Sequence, residues 1–221
     1  MNEHMKPQFN KRLKRNQLLD FIRQQALTMV VMEACYSSHY WARVMAKLGQ
    51  DTKLIPAQHV MPFMRGNKND HNDAFAIKEA SQHPYIRFVP IKTEHQQGIS
   101  CLHRICERLG KNKVALSNQS RDLLSELGVV FPIGHVAFLN GLTSINDNPQ
   151  YNPRLQDILN EYKTMVNHLK NIEKQLTEFV EGCESVRILP SIPGISVINA
   201  SAFLAAIDKC QAFNNPKELA V

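Results

Sequence analysis

The stretch LTMVVME, residues 27–33, decides the fold. It is apolar, partly β-branched and too short for an ordinary helix, so it is predicted as a buried strand ending at Glu33. Ser37 and Ser38 follow as candidate N-cap residues. Tyr40, Trp41, Val44, Met45 and Leu48 then keep helical spacing up to Gly49, which sits where a left-handed C-cap belongs. Residues 52–55, TKLI, form a second strand stopped by Pro56. Strand, helix and strand within about thirty residues make a βαβ unit, which implies a parallel pair and an α/β class.

On the N-terminal side, Lys6, Lys11, Arg12, Lys14 and Arg15 lead into an amphipathic helix with Leu18, Leu19, Phe21 and Ile22, running to Gln25. On the C-terminal side come a short segment from His59 to Met64 and the polar residues 65–69, RGNKN. A helix from Asp70 to Ser81 follows, closed by His83 and Pro84. Residues 86–91, IRFVPI, read as a short strand or an extended connector.

From Glu94 a long helical pattern begins, with Ile99, Leu102, Cys106, Leu109, Leu116, Leu123 and Leu127 at steps of three and four that polar Lys113 and Ser120 interrupt, ended by Gly128. Residues 129–150, rich in Pro, Gly and Asn, are predicted as a loop-like connector. Leu155, Ile158, Tyr162, Met165, Leu169, Ile172, Leu176 and Phe179 then follow an unbroken alternation of three and four, a heptad seam over 155–179. Two such helices can pack as an antiparallel hairpin, or the seam can pair with a second copy in a homo-oligomer. Residues 189–196, LPSIPGIS, lead into an apolar helix from Val197 to Ile207. The predicted division is 1–92, 93–182 with its loop at 129–150, and 183–221.

The 221 residues are 43% apolar and 21% charged with nine Gly and eleven Pro, which excludes disordered and collagen-like classes. A net charge of +6 favours acidic partners such as nucleic acid. No apolar run approaches the roughly 18–20 residues that span a bilayer, and no signal-peptide core precedes the first helix, so a cytoplasmic protein is expected. Cys35, Cys101, Cys106, Cys183 and Cys210 form no C-x-x-C pair and are expected to be reduced, mostly buried thiols. P-loop, G-x-G-x-x-G, G-x-S-x-G and H-E-x-x-H motifs are absent.

Three acidic residues could carry chemistry. Glu33 ends a strand, where α/β folds gather functional groups. Asp70 and Asp73, three apart, share one helical face and can address one ion. Carboxylates are the ligands that Mg²⁺ takes, and paired ions can activate and stabilise the oxygens of phosphodiester cleavage. The alternative is capping: Asp70 as N-cap and Asp73 favouring the helix dipole, with Glu33 a solvated edge residue. Arg104, Arg108, Lys111, Lys113 and Arg121 lie largely off the apolar seam and suit either phosphate contacts or a merely solvated face. Tyr40 and Trp41 read as core anchors rather than a stacking platform for bases.

The string VVMEACYSSHYWAR, residues 30–43, followed by KNDHNDAFAI, residues 68–77, resembles the DEDD transposases of insertion sequences related to the Piv DNA invertase. Residues 87–90, the region from Gln96 to Leu109 and that from Asn118 to Gly128 extend the likeness over nearly the whole chain after residue 11. The resemblance implies an RNase H-type, RuvC-like α/β domain, incomplete here, then a long helical coiled-coil segment and the start of a small α-helical transposase domain. It implies DNA binding and metal-dependent DNA strand cleavage and rejoining in transposition, with Mg²⁺ or Mn²⁺ held by carboxylates in the order Asp, Glu, Asp, Asp. Glu33, Asp70 and Asp73 match the second, third and fourth of these. DNA and a guide RNA are implied as partners, with no membrane. Residues 189–207 are similar to the family's Leu-Pro-Gly-Ile-Gly stretch, with Ser191 and Pro193 as departures.

The family's first Asp lies on a strand of Gly-x-Asp type, a context lacking before Glu33, where Asp20 sits in a helical pattern. The chain also ends before the region of a serine proposed as nucleophile in the family. The expectation is a truncated or split transposase copy with little activity alone. The alternative is a non-catalytic nucleic-acid-binding or dimerisation protein derived from one.

Overall fold

The structure is a computed structural model that describes residues 11–67, 69–146, 148, 152–184 and 186–207. Lys68, Asp147, Pro149 and Cys210 of the sequence reading lie outside the described residues. The chain divides into two units, Met1–Thr93 and Glu94–Val221.

In the first unit, α1 (Arg15–Arg23) opens the described order. Strand β1 (Met29–Glu33), helix α2 (Ser38–Lys47) and strand β2 (Asp51–Ile55) then form the expected βαβ unit, with β1 and β2 parallel and Glu33 in register with Ile55. Ser37 occupies the N-cap position of α2 with φ of 62° and no capping bond, while Ser38 Oγ turns back to donate to the Cys35 carbonyl at 2.8 Å. At the other end the Gly49 N–H reaches the Ala46 carbonyl at 3.0 Å and the Gln50 N–H the Met45 carbonyl at 3.1 Å. Gly49 has φ of 85°, so this is the expected left-handed cap. Gln50 is buried, and its Oε1 accepts from the Thr28 N–H at 2.9 Å, pinning the entry to β1 against the entry to β2.

Strand β1 departs from the buried strand predicted. Met29 is half exposed and no residue of Met29–Glu33 is fully buried, whereas Thr52, Leu54 and Ile55 of β2 are. The cause is position: among the described residues β1 pairs only with β2, while β2 also meets Val89 through a single antiparallel bridge at Leu54. The 86–91 segment is therefore an extended connector making one bridge. The short helix α3 (Ala57–Val60), a 3-10 turn at Met61–Phe63 and the helix α4 (Asp70–Ser81) follow. Ile55, Val60, Ala76 and Ala80 form the core beneath them.

In the second unit, α5 (Glu94–Ser125), α6 (His135–Asn146), α7 (Asn152–Glu181) and α8 (Val197–Ile207) make two cores. One gathers Ile99 and Leu109 of α5 with Ile172, Leu176 and Val180 of α7 and Ala200, Leu204 and Ala205 of α8. The other gathers Leu124 of α5 with Phe138 and Leu142 of α6 and Leu155, Leu159 and Tyr162 of α7. The beginning of α5 thus meets the end of α7, an antiparallel arrangement. Leu155, Tyr162, Ile172 and Leu176 of the seam are buried by helices of their own chain.

Helix α6 occupies twelve residues of the stretch predicted as a loop. Its apolar positions Phe138, Leu142 and Ile145 repeat at helical spacing, and Gly141 lets the Phe131 ring approach so closely that a Cβ there would stand 2.5 Å from Cδ1. The flanking turn residues masked a pattern that gains its stability from packing rather than propensity. Cys35 and Cys101 are exposed and Cys106 and Cys183 half-buried, all as free thiols, so the first two are not the buried residues expected.

Candidate catalytic carboxylates and basic surfaces

Glu33 is half-buried at the carboxyl end of β1, where the chain turns away through a Cys35 N–H bond to its carbonyl at 2.9 Å. Helix α4 packs on β1 and β2. Its N-cap is Asn69, whose Oδ1 accepts from the Asn72 N–H at 2.9 Å. Asp70 is thus the first helical residue, exposed and not the cap, and the capping reading of Asp70 is corrected. Asn is as good an N-cap as Asp, and its extended backbone, φ −156° and ψ 158°, suits that place.

Asp73 lies one turn further, on the side of α4 that carries the buried Ala76 and Ala80. Its Oδ1 is sealed from solvent and has no hydrogen-bond partner among the described residues. A carboxylate oxygen left so is costly, and an ion is among the partners that would satisfy it. The donor chemistry suits a hard divalent cation, because carboxylate oxygens are what Mg²⁺ takes. Among the described residues, no three His, Cys, Asp or Glu side chains are gathered as a metal site, so Glu33, Asp70 and Asp73 do not converge on one.

The five basic candidates split between two faces of α5. Arg104, Arg108 and Lys111, at steps of four and three, form an exposed stripe. Lys111 is paired to Glu107 at 2.6 Å, and that hydrogen bond holds the Glu107 carboxyl below its ordinary value. Lys113 and Arg121 stand on the other side, by the helical period of 3.6 residues. Arg121 lies over the Phe138 ring at 4.9 Å, and its guanidinium donates to the Ser117, Pro132 and Gly134 carbonyls at 3.4–3.5 Å.

Tyr40 is exposed and Trp41 half-buried, their rings edge to face at 5.3 Å, and Arg15 covers both at 6.0 and 5.0 Å. They are not the core anchors expected. Helix α2 is tied to the connector instead by His39 and Arg43: His39 Nδ1 accepts from the Lys92 N–H at 3.1 Å, and Arg43 donates to the Lys92 carbonyl at 2.6 Å. Desolvation first, then the charges of Lys92 and Arg43, lower the His39 pKa.

Comparison with known proteins agrees with the residues. A model of the IS110 DEDD class, described as Transposase, matches residues 2–129, and one described as Transposase IS116/IS110/IS902 family matches residues 186–221. A probable family 20 transposase of Pseudomonas aeruginosa is 35% identical over 217 residues, 95% of this chain and 64% of the relative. The transposase for insertion sequence element IS1328 of Yersinia enterocolitica is 35% identical over 203 residues, 90% of this chain and 60% of the relative. The transposase for IS1111A of Coxiella burnetii is 33% identical over 217 residues, 96% of this chain and 60% of the relative. The chain therefore spans about three fifths of the length of these relatives. With a DEDD-class match across the βαβ unit, α4 and α5, and a second transposase match at the far end, the chain belongs to the IS110-type DEDD transposase family of insertion sequences.

Proposed function

We propose that this chain acts on DNA as a transposase polypeptide, in metal-dependent strand cleavage and rejoining, with Glu33, Asp70 and Asp73 as ligands for Mg²⁺ or Mn²⁺. The observation that carries this reading is the Asp73 Oδ1, sealed and without a hydrogen-bond partner among the described residues, one turn from an exposed Asp70 that is not needed as a cap. A bound divalent ion would supply charge stabilisation for phosphodiester oxygens. Asp73 offers an oxygen with no competing hydrogen bond, Asp70 an exposed carboxylate, and Glu33 a third at the strand end. Because the three are not gathered among the described residues, the chain alone is expected to cleave weakly or not at all. Arg104 and Arg108, exposed and without ion pairs among the described residues, suit phosphate contacts, and DNA with a guide RNA are the partners the family membership suggests. Work on nucleic acid would place the protein in the cytoplasm. Among the described residues no helix is long and apolar enough to cross a membrane.

The test is thermal unfolding with and without Mn²⁺ at fixed ionic strength. An ion bound only by the folded state raises Tm by mass action. The rise should vanish in Asp73→Asn, and an equal rise in that variant and the parent sinks the metal assignment. Mg²⁺-dependent nicking by the isolated chain, abolished in Asp70→Ala, would overturn the expectation of weak activity.

A second reading, a nucleic-acid-binding protein without catalysis, is favoured by the ungathered carboxylates. It predicts nucleic-acid binding with no metal response.

A further inference from the structure

In the second unit a cleft of about 290 Å³ opens between α5, the 131–134 turn and α7. Lys113, Asn118 and Arg121 line it from α5, Gly134 and His135 from the start of α6, and Tyr162 from α7. Among the described residues no carboxylate lines it. We propose that this cleft binds a phosphate group, either on a nucleic-acid strand or as free inorganic phosphate.

Four observations converge on an anion. Arg121 has five N–H donors, yet its bonds to the Ser117, Pro132 and Gly134 carbonyls are all 3.4–3.5 Å, beyond the usual 2.7–3.2 Å range. Its Nε is sealed from water and has no partner among the described residues. These are weak commitments for a group that prefers charged, forked acceptors.

Next to it begins α6, a helix of twelve residues whose first N–H groups have no intrahelical acceptor, and its first residue His135 lines the cleft with the preceding Gly134. The His135 Nδ1 is 2.7 Å from the Tyr162 hydroxyl, and with Tyr162 donating there, the proton of the neutral ring sits on Nε2. Desolvation and then the charges of Lys113 and Lys170 lower the His135 pKa, so the surroundings of the cleft are positive even with the imidazole neutral. Asn118 is exposed at the rim and supplies a further amide donor. The volume lies at the lower end of ordinary ligand pockets of roughly 300–1,000 Å³, which leaves room for a phosphate group.

This assignment stands apart from the carboxylates, so it can fail while the metal reading holds, and the reverse. It also explains why Lys113 and Arg121 face away from the Arg104, Arg108 and Lys111 stripe.

The experiment is an NMR titration of the full chain at constant ionic strength, following the backbone amides of Gly134, His135 and Val136. Inorganic phosphate is one arm, a short single-stranded oligonucleotide the second, and the same oligonucleotide with uncharged methylphosphonate linkages the third. Asn118→Asp, an exposed change that adds a repelling charge at the rim, should weaken the response about tenfold or more. Lys113→Gln should weaken it in the same direction, and thermal unfolding confirms that each variant is folded. Saturable shifts with phosphate alone support a site satisfied by the free ion. Shifts only with the charged oligonucleotide support a strand as the source. No saturable shift in either charged arm, equal shifts with the methylphosphonate strand, or shifts unchanged in both variants would overturn the proposal.

Discussion

His103 Nε2 lies 3.0 Å from the Oγ of Ser201, which is fully buried, so a histidine of α5 holds a serine of α8 across 98 residues of sequence. Ser201 in turn donates to the Ile198 carbonyl at 3.0 Å, leaving its lone pairs for the imidazole N–H. Protonation cannot strengthen such a pair much, because the ring already donates.

Burial lowers the pKa of His103, as it does for His39 and His135, where nearby cations add to the effect. A lowered folded-state value means that the unfolded chain binds the extra proton first. Stability from these residues is therefore complete above the ordinary histidine value of 6.5 and is lost as pH falls through their folded values. Urea unfolding at pH 7.5 and pH 5 should show a lower midpoint in acid. A midpoint that rises on acidification would contradict this sign.

Asn69→Ala should cost about 1 kcal/mol, the usual loss on removing an N-cap, because the Asn69 side chain holds the Asn72 N–H. Asp70→Asn, at the first helical position, should cost only the smaller dipole effect of about 0.3–1 kcal/mol. Equilibrium denaturation of the two variants decides between them, and a larger loss at Asp70 would restore it as the cap.

Asp73→Asn should cost the metal-free protein no more than the helix-dipole effect of about 0.3–1 kcal/mol, since the charge removed has an Oδ1 that is sealed and unbonded among the described residues. The parent alone should then gain Tm on addition of Mn²⁺. A larger loss of metal-free stability in the variant would show that Asp73 has a structural role instead.

Two glycines should respond oppositely to Ala. At Gly110, inside α5, a Cβ would meet nothing within 4 Å, so Gly110→Ala should stabilise by about 1 kcal/mol through helix propensity. At Gly141 the Cβ would stand 2.5 Å from the Phe131 ring, itself edge to face with Phe138 at 6.0 Å, so Gly141→Ala should destabilise by about 1–3 kcal/mol. Thermal unfolding of both checks the pair, and the same sign for both would refute the packing argument at α6.

Leu176 is fully buried where α7 meets the core shared with α5 and α8, so Leu176→Ala should cost about 2–5 kcal/mol. Arg104→Ala, on the exposed stripe, should stay within about 0.5 kcal/mol. Denaturant midpoints measure both.

By itself the sequence determined the local structure that rests on periodicity and turn chemistry. Residues 27–55 alternate strand, helix and strand because β-branched runs and a glycine stop permit little else, and the 155–179 seam is helical because its spacing is. The family was legible too, because the likeness is carried by residue order within two short strings, 30–43 and 68–77; the roles of Glu33, Asp70 and Asp73 stay a proposal. Tertiary structure alone decided what each face meets. It buried the seam of α7 within its own chain, made a helix of residues 135–146 around Phe138, and left β1 half exposed. It also brought Arg121 to a cleft that His135 and Tyr162 line. Those outcomes depend on contacts between residues far apart in the chain, and the energy of such contacts is set by packing geometry that no local pattern encodes.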